Sequence, residues 1–513
     1  MYFHNGHILT FDPSHPEATA MTVESGTIHT VDTTSGGESM DLQRRLILPG
    51  FNDAHVHIWK LGQLAAYILD LRGVQSIRAI QDAVQQKARQ LPAGTWIVGR
   101  GFNERVLNDG RMPNRFDLDE ATQQHPVYLI RTCAHIAAVN SLALQICAVD
   151  RNVEAPAGGV VGKSEHGEPD GLFYETALGL ITRHMPAPTH AEYKDMIRRG
   201  ADLLVRAGVT SATDPAVHPE LLKAYLDLSE EELPLRVNLM PILLPDGGSQ
   251  PFDIPALVTN DRVRVTTVKF FADGGLSGRT AALSRPYKGT DDKGVMRLTY
   301  EPFLELARKA QKSGFRIGTH AIGDEAIGLV LRVYEQLYAE FGGTRNRIEH
   351  FGLPEPAHVA SMRQHDFVAV PQPIFLHELG ENFVSALDEE YLQHCYPVRS
   401  LREAGIPVAF STDAPVVREI NPWKCVEAAV RRLSHRGKAI ALHEAVSVRE
   451  AISMYTQGSA FAEGTEKMKG MIKAGHMADF IIVNEDPLQV APDQLGSIRV
   501  EEVYIGGKCV FKV

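Results

Sequence analysis

Cysteine is scarce in this chain of 513 residues, which contains Cys133, Cys147, Cys395, Cys425 and Cys509. The five are scattered, their number is odd, and none forms a C-x-x-C pair. This pattern argues against a disulfide framework and against a zinc ribbon. We therefore expect reduced, buried thiols, as is usual for a cytoplasmic protein.

Long apolar runs and clusters of positive charge are also missing. No stretch reaches the roughly 18 apolar residues that span a bilayer, and the start MYFHNGHILTFDP does not resemble a signal peptide. The formal net charge is −11 without any run of Lys or Arg, which argues against nucleic acid or an anionic membrane as partner. A small-molecule substrate is the partner we expect, and a homodimer is compatible with the sequence.

Both ends of the chain carry short strand patterns. Residues 1–48 contain HILTFD, AMTVESGTIHTVD and RRLILP, and residues 461–513 contain ADFIIVNEDPL and EEVYIGGKCVFKV, in which Gly506-Gly507 suits a tight hairpin. A small sheet formed by one end alone would leave an open edge. We predict that the two segments together form a composite β-sandwich.

The middle of the chain, residues 49–460, alternates strand and helix patterns. Strand patterns lie at RLILPGFNDAHVHI and at residues 208–217, 235–243, 264–274, 316–324, 347–353, 367–373 and 406–415. Amphipathic helix patterns such as EPFLELARKAQKSG and DEAIGLVLRVYEQLYAEFG lie between most of them. Eight such units predict the α/β class and a (β/α)8 TIM barrel.

One connection is much longer than an ordinary βα loop. The insert after the first strand, at about residues 70–190, contains the helix pattern IRAIQDAVQQKARQL, the strand patterns TWIVGRGF and PVYLIRTCAH, and the hairpin-like GGVVGKSEHGEPDGLFYE. We interpret it as an inserted subdomain over the mouth of the barrel. Because active sites of this fold lie on that face, the insert is expected to shape the substrate pocket.

The motif FNDAHVHI at residues 51–58 places two histidines one residue apart. Side chains alternate along a strand, so His55 and His57 share a face, with Asp53 below them. Two imidazoles on one face can bind a metal ion. In a chain with 21 histidines such a pair also arises by chance, so further ligands are needed.

Other strand patterns end in polar side chains that bind metals. These are Lys269 in VKFFADGG, His320 in THAIGD, His350 in RIEH and Asp413 in STDAP. Taken singly, either histidine is explained as a core or surface residue, Asp413 as a helix cap, and Lys269 as half of an ion pair with Asp273. Taken together, they lie at the carboxyl ends of strands that converge in a barrel, which predicts one pocket containing them and the histidine pair.

Imidazoles and a carboxylate suit Zn²⁺. A neutral lysine amine can react with CO₂ to form a carbamate, and this anion can bridge two metal ions. Two ions roughly 3.5–4 Å apart polarise a carbonyl and hold a hydroxide at neutral pH. We therefore expect two zinc ions per subunit, with iron, manganese or nickel as alternatives, and Asp413 as the group that shuttles the proton to the leaving amine.

Several motifs match one family in order: LPGFNDAHVHI, VKFFADGGLSGRTAAL, THAIGD, RIEH, STDAP and the tail EAISMYTQGSAFAEGTEKMKGMIKAGHMADFIIVNEDP. The chain resembles the amidohydrolase superfamily, and within it the amidohydrolase-3 branch of YtcJ-like and N-substituted-formamide-deformylase-like proteins. The resemblance implies a metal-dependent hydrolase with a composite β-sandwich. It assigns the metal to the six side chains above and implies that Lys269 is carboxylated.

Four further residues are candidates with open alternatives. His135 in CAHIAAVNS resembles a family segment and is expected to contact substrate, or else to be structural. Arg279 is expected to bind a carboxylate or carbonyl oxygen, or to tie a loop. Trp59 is expected to wall the pocket, or to pack in the core. Asp324 is expected to lie behind the ligands and to orient one of them or a loop.

The function that we expect is hydrolysis of a C–N bond in a small molecule, an N-acyl or N-formyl amide, by a metal-bound hydroxide. One alternative is a mononuclear deaminase or a cyclic-amide hydrolase, lactonase or phosphotriesterase-like enzyme of the same superfamily, since fold and metals do not fix the bond that is cleaved. Another is a non-catalytic regulatory relative. The sequence does not identify the substrate.

Overall fold

A computed structural model describes residues 1–33, 38–104, 106–131, 136–156, 159–229, 231–245 and 250–513. Its strands are β1 (Tyr2–His4), β2 (His7–Leu9), β3 (Glu17–Ala18), β4 (Met21–Glu24), β5 (Thr27–Val31), β6 (Ser39–Asp41), β7 (Leu46–Pro49), β8 (Phe51–Asp53), β9 (Ile68–Asp70), β10 (Ile97–Phe102), β11 (Val127–Arg131), β12 (Ile136–Val139), β13 (Gly159–Lys163), β14 (Pro169–Glu175), β15 (Val209–Val217), β16 (Arg236–Pro241), β17 (Val258–Thr259), β18 (Val263–Val265), β19 (Thr267–Phe271), β20 (Arg316–Ala321), β21 (Arg347–His350), β22 (Val368–Val370), β23 (Phe480–Val483), β24 (Val500–Ile505) and β25 (Lys508–Lys512).

The helices of these residues are α1 (Ile58–Ala66), α2 (Ile77–Ala88), α3 (Arg115–Ala121), α4 (Ser141–Ile146), α5 (Gly179–Thr182), α6 (His190–Arg206), α7 (Pro219–Leu226), α8 (Tyr300–Lys312), α9 (Asp324–Phe341), α10 (Pro356–Gln364), α11 (Ile374–Glu378), α12 (Gly380–Ala386), α13 (Glu389–Gln393), α14 (Val398–Glu403), α15 (Pro422–Arg431), α16 (Val448–Ser453) and α17 (Ser459–Glu463). Within the described ranges, no helix combines the length and the apolar character needed to cross a membrane. The fold is of mixed α/β type.

The chain divides into two compact units, one of residues Met1–Trp59 with Gly200–Val513 and one of residues Lys60–Arg199. The smaller unit contains one six-stranded sheet, in the order β13-β14-β12-β11-β10-β9. Strands β9, β10 and β11 run parallel, and β13 and β14 form the hairpin expected over residues 158–175. Ser76 caps helix α2, because its side chain accepts the Ala79 N–H, and the helix buries Ile77, Ile80 and Val84.

Two sheets of the larger unit are built from the chain ends. The first has the order β5-β4-β1-β6, and the second, β25-β24-β23-β7-β2-β3, joins both ends of the chain because β7 pairs antiparallel with β23. One hydrophobic cluster takes side chains from both sheets, among them Phe3 and Phe480. Gly506 and Gly507, at φ 58° and 73°, make the turn between β24 and β25, the conformation that a two-residue hairpin loop requires.

The remaining strands of the larger unit run mostly parallel. Strands β8, β15, β16 and β18 form one parallel series, and β19, β20, β21 and β22 form another. A parallel bridge between Ile242 and Lys269 links the two series. These strands carry the residues predicted to bind metal, and their carboxyl ends therefore matter for function.

The segment expected as the eighth strand, residues 406–415, is extended chain without a regular ladder. It forms one parallel bridge, between Val408 and Ala369, and Phe410 O accepts the Ala54 N–H at 3.1 Å. Pro407 has no N–H to donate, and the Phe410 N–H bonds to Met454 O instead of a strand. The prediction of a regular strand was wrong, although the segment does lie between β22 and the residues after β8.

Candidate metal centre

The histidine pair lies directly after β8, beside the turn that carries Asp413. Asp413 Oδ1 is 3.5 Å from His55 Nε2 and 3.3 Å from His57 Nε2. The backbone fixes this approach, because the Asp413 N–H donates to His55 O at 2.7 Å and the His57 N–H donates to Ala414 O at 2.9 Å. The two imidazoles and the carboxylate are thus brought together by main-chain hydrogen bonds rather than by side-chain packing alone.

Asp53 lies beneath this pair and outside the group of candidate ligands. Its carboxylate accepts hydrogen bonds from the His55 N–H, from the Thr412 N–H and hydroxyl, and from the Tyr455 hydroxyl. Burial raises its pKa to about 6, although these hydrogen bonds oppose the shift. Asp53 therefore ties the end of β8 to the segment before Asp413.

The other two histidines approach from β20 and β21. The ring of His350 lies 5.1 Å from that of His55 and 4.4 Å from that of His320, centroid to centroid. One ligand atom each from His55, His350 and Asp413 lies within 4.8 Å of the others. Three side chains from distant parts of the sequence therefore converge closely enough to bind one ion.

Lys269 is fully buried in β19. Its Nζ has no hydrogen-bond partner among the described residues, and it lies 4.7 Å above the ring of Phe271. Burial lowers its pKa to about 8, although the negative charges of Glu349 and Asp413 act to raise it. An ammonium left in this state is unfavourable, so the site calls for a group that neutralises or modifies it.

The alternative partner for Lys269, Asp273, is engaged elsewhere. Its carboxylate accepts the N–H groups of Ala282, Ile322 and Gly323 at 2.8–3.1 Å. It therefore anchors the loops after β19 and β20. The alternative for Asp413 also fails, because no helix begins in the residues that follow it before α15 at Pro422.

In His55 and His350, a hydrogen bond to one ring nitrogen determines which nitrogen has the lone pair that can bind a metal ion. His55 Nδ1 lies 2.6 Å from Glu349 Oε2, and His350 Nδ1 lies 2.6 Å from Gln372 Oε1. A carboxylate can only accept, and the Gln372 amide nitrogen already donates to Val370 O and Ser411, so each Nδ1 carries the proton. Both Nε2 atoms then offer a lone pair.

His320 is the opposite tautomer, protonated on Nε2 instead of Nδ1. Its Nε2 lies 3.0 Å from Gly274 O, a carbonyl that can only accept, so Nδ1 is the nitrogen with the lone pair. Burial lowers the pKa of His55 to about 4 and that of His350 well below its usual value. Neutral imidazoles with assigned tautomers are the form that binds a divalent cation.

Glu349 is itself held by a buried cation. Arg347 donates to both of its carboxylate oxygens, at 2.5 and 3.0 Å, and to Ala54 O at 2.6 Å. Neither residue was singled out from the sequence, nor was Gln372. The signal was present in the motif RIEH, because period-two alternation places Arg347 and Glu349 on the same face of β21.

Two of the candidate ligands have a strained backbone. His350 has φ 74° and Asp413 has φ 58°, the left-handed region that residues other than glycine rarely adopt. Such conformations cost about 1–3 kcal/mol each and cluster at functional sites. The strain at these two residues is consistent with a position dictated by chemistry rather than by local preference.

A cavity of about 190 Å³ opens onto the cluster. Its polar lining includes His55, His57, Ser277, His320, His350 and Asp413. The remaining walls are mostly apolar and include Phe271, Leu276, Ile322, Phe375, Leu379, Phe383, Tyr396 and Val416. A compact group of candidate ligand atoms therefore lies beside a small, mostly apolar cavity.

The residues predicted to contact substrate are not brought together by the described part of the chain. Trp59 lies in α1 with its ring 6.4 Å from that of His218 and does not line the cavity. Arg279, at φ 54°, lies in the loop of Leu276 and Ser277 but is not a lining residue. His135 lies outside the described residues.

Asp324 is the first residue of α9 and is buried. Its carboxylate accepts the Ser284 N–H at 3.0 Å and hydrogen bonds from the hydroxyls of Ser284 and Tyr391. The contacts that the structure gives it are to a loop and to α13. Of the two predicted roles, orienting a ligand or orienting a loop, these contacts fit the second.

The donor set fits a divalent metal ion. Neutral imidazole nitrogens and a carboxylate are the ligands that zinc and related ions prefer, and the orphaned Nζ of Lys269 in the same core fits a lysine that is carboxylated when it bridges ions. The residues present therefore support a metal centre of at least His55, His350 and Asp413.

Comparisons with known proteins agree. The model of the amidohydrolase family matches residues 38–511. The chain is 30% identical over 543 residues to YtcJ of Bacillus subtilis, named as an amidohydrolase, covering 99% of each. It is 26% identical over 544 residues to the N-substituted formamide deformylase of Arthrobacter pascens, covering 98% of this chain and 96% of that one.

Among solved structures, an uncharacterized metal-dependent hydrolase from Pyrococcus horikoshii superposes with a TM-score of 0.81 at 26% identity, covering 96% of this chain and 99% of that one. The resemblance predicted from the motifs is confirmed, and the chain belongs to the amidohydrolase family.

Proposed function

We propose that this protein is a metal-dependent hydrolase that cleaves a C–N bond in a small uncharged molecule, an N-acyl or N-formyl amide. One observation carries the proposal: ligand atoms of His55, His350 and Asp413 lie within 4.8 Å of one another at the base of a cavity. Clusters of this composition in a cavity are typical of catalytic metal sites.

Two zinc ions would be held by His55, His57, Lys269, His320, His350 and Asp413, with Lys269 taking part as a carbamate. The carbamate would form when Nζ gives up its ammonium proton, bonds to CO₂ and releases a second proton, so that a carbamate anion replaces a buried cation. When bound, such ions polarise a carbonyl and lower the pKa of water. The unpartnered, fully buried Nζ supports this assignment.

Asp413 is the group placed to move the proton. Its Oδ1 lies between the two Nε2 atoms of the histidine pair, at 3.5 and 3.3 Å. It would accept a proton from the attacking water and deliver it to the nitrogen of the leaving amine. Its left-handed backbone, held by the hydrogen bond to His55 O, fixes where that proton is exchanged.

The cavity favours a neutral and partly apolar substrate. An apolar cavity of about 150 Å³ holds one benzene ring, so a volume of about 190 Å³ suits a small acyl or formyl group with one ring or a short alkyl chain. No Arg or Lys is among the described lining residues, so an anionic substituent finds no counter-charge there. The activity named for the Arthrobacter relative, deformylation of N-substituted formamides, belongs to the same class.

We also propose the finer architecture. The bridges Ile242–Lys269 and Ala369–Val408 and the Ala54–Phe410 hydrogen bond connect the two parallel series in turn, which supports a closed (β/α)8 barrel over residues 49–460 with an insert at about 70–190. The shared hydrophobic cluster of the terminal sheets supports a composite β-sandwich of residues 1–48 and 461–513. A cytoplasmic location and a homodimer stay predictions.

The test is metal counting combined with turnover. Purified protein is chelated, then reloaded with Zn²⁺, Mn²⁺, Fe²⁺ or Ni²⁺, and assayed on N-formyl and N-acyl amides, ureas, lactones, phosphotriesters and amino-heterocycles. Two ions per subunit with amide hydrolysis support the proposal. One ion with deamination supports the mononuclear rival, and full activity after exhaustive chelation contradicts metal dependence.

A matched pair of variants separates the site from general effects. His350→Asn removes a ligand while keeping a residue type that tolerates positive φ, and it is expected to lose metal and activity. His443→Asn changes an exposed histidine and is expected to leave both unchanged. Metal-loaded protein without turnover on any substrate, but with a tightly bound protein partner, would favour the regulatory alternative.

A further inference from the structure

Tyr396 is a lining residue of the cavity at the metal centre, and its hydroxyl has no hydrogen-bond partner among the described residues. The residue is 1% exposed, so bulk water does not satisfy this group. A buried hydroxyl without a partner loses its hydration with no compensating bond, and folded proteins rarely keep such a group without reason. The missing partner is therefore to be sought in what the cavity binds.

The backbone of Tyr396 is fixed at several points. Its N–H donates to Gly352 O at 2.7 Å. Arg432, fully buried, donates to Tyr396 O at 3.1 Å and to Cys395 O at 2.7 Å. Tyr396 also has φ 50°, a conformation that persists only where the surroundings impose it.

The ring is equally constrained. It lies 6.1 Å from Phe375 at an interplanar angle of 83° and 6.2 Å from Phe383 at 20°. A Cβ added to Gly352 would lie 3.5 Å from Tyr396 Cζ, an ordinary van der Waals distance, so the ring packs beside the segment that follows His350. Because both backbone and ring are held, the hydroxyl is presented at a fixed place.

The chemical form of this hydroxyl is also determined. Burial, with the neighbouring Cys395 and the charges of Asp413 and Asp273, raises the pKa of Tyr396 well above its usual value. The group therefore stays protonated and is a donor at neutral pH. The substrate proposed above offers an acceptor, its carbonyl oxygen, which gains negative charge as water adds to the carbon.

We propose that the Tyr396 hydroxyl donates a hydrogen bond to the carbonyl oxygen of the bound amide and to the oxyanion that develops on it. This rests on the function proposed above. Tyr396 then acts as a catalytic residue beside the metal centre, and the apolar walls around it strengthen the bond because they exclude water. No covalent step is assigned to it.

The test compares Tyr396→Phe with Tyr287→Phe. Tyr287 is also buried, but its hydroxyl donates to Ala281 O at 2.8 Å, so its loss is expected to lower the thermal midpoint. Tyr396→Phe is expected to leave the midpoint and metal content unchanged, or to raise the midpoint, because it removes an unsatisfied group. A fall in midpoint as large as that of Tyr287→Phe would mean a structural partner and would overturn the proposal.

Kinetics and binding complete the test. With an N-alkyl formamide, kcat is expected to fall by roughly 10–10³-fold, as for an oxyanion donor. Binding of the same amide to chelated protein, measured by calorimetry, is expected to weaken by only about 2–10-fold, because the bond strengthens in the transition state. Unchanged kcat and unchanged amide binding would overturn the proposal.

The same experiments distinguish a failure of the proposed function from a failure of the role given to Tyr396. If the wild-type protein hydrolyses no amide, the proposed reaction is contradicted, whereas the midpoint comparison and amide binding still decide whether the hydroxyl meets a ligand. Amide binding that is the same in Tyr396→Phe and in the wild type would then count against Tyr396.

Discussion

Glu349 Oε2 lies 2.6 Å from His55 Nδ1 in a fully buried contact, and Arg347 holds the same carboxylate with two hydrogen bonds. The contact fixes the tautomer of a candidate ligand, as carboxylates behind metal-binding histidines commonly do. Glu349→Gln is expected to weaken metal affinity by about 10–100-fold, measured by competition with a chelator. It is also expected to lower the free energy of unfolding by about 3–5 kcal/mol, because Arg347 is left as an unpaired buried charge.

The control for this change is Glu340→Gln. Glu340 accepts two hydrogen bonds from Arg308 on the protein surface, a geometry like that of Glu349 with Arg347, but in solvent. Metal affinity and unfolding are expected to stay as in the wild type, since exposed pairs contribute little. Equal effects of the two substitutions would contradict the role given to Glu349.

Lys269→Met is expected to remove the proposed carbamate without a large loss of stability of the metal-free protein. Nζ has no hydrogen-bond partner in the described residues, so an apolar side chain of similar length relieves the burial of a charge and gives up only its attraction to Glu349 and Asp413. Metal occupancy and turnover are expected to fall. Wild-type protein grown with ¹³C-labelled CO₂ is expected to show a carbamate carbon signal by NMR, and the variant is expected to lack it.

Lys469→Met is the matched comparison. Lys469 is also buried, but its Nζ lies 2.7 Å from Glu463. Removing it leaves a buried carboxylate unpaired, which is expected to cost about 3–5 kcal/mol of unfolding free energy. A large destabilisation by Lys269→Met, equal to that of Lys469→Met, would show that Lys269 is a structural cation.

Asp413→Asn is expected to lower kcat by about 10²–10⁴-fold, the usual contribution of a positioned proton-transfer group. Asparagine tolerates the left-handed backbone at this position, so circular dichroism and the thermal midpoint are expected to stay close to those of the wild type. Metal content is measured in parallel. Activity close to that of the wild type would exclude Asp413 as the proton shuttle.

Glu502 predicts an acid dependence of stability far from the metal ligands. Burial alone would raise the pKa of its carboxyl, but hydrogen bonds from Tyr504, Arg45 and Lys512 outweigh burial and lower it below its usual value of 4.5. A carboxyl whose pKa is lower in the folded than in the unfolded protein contributes its full stabilisation above the unfolded pKa. That stabilisation is lost progressively as the pH falls through the folded pKa. In Glu502→Gln, the loss of unfolding free energy between about pH 5 and pH 3 is therefore expected to be shallower, as measured by urea titration.

The candidate ligands could be predicted from sequence because each follows an apolar strand pattern at its carboxyl end. Lys269, His320 and His350 lie in β19, β20 and β21 within the predicted ranges. Helices α8 and α9 likewise match their predicted patterns closely, since their apolar spacing is strong. Local periodicity therefore determined these elements and the placement of their end residues.

The supporting contacts could not be predicted in this way. Glu349 meets His55, and Gln372 meets His350, across sequence separations of 294 and 22 residues, and no local pattern encodes which side chains meet. The segment of Asp413 forms no regular strand because it pairs with β22 only around Ala369, and its later hydrogen bonds go to Met454 and to the chain after β8. Tyr396 belongs to no sequence motif, and what distinguishes it is a buried hydroxyl without a hydrogen-bond partner among the described residues.

The pairing of β7 with β23 has a consequence for biosynthesis. From Pro49 to Phe480 the ribosome adds 480 − 49 = 431 residues, which takes roughly 20–90 s at 5–20 residues per second. For that time the nascent β7 lacks its later neighbour and shows an open apolar edge, a template for mispairing with other emerging chains. We therefore expect a sheet closed by the two extremes of the polypeptide to make the protein depend on chaperones in the cell and refold slowly after dilution from denaturant.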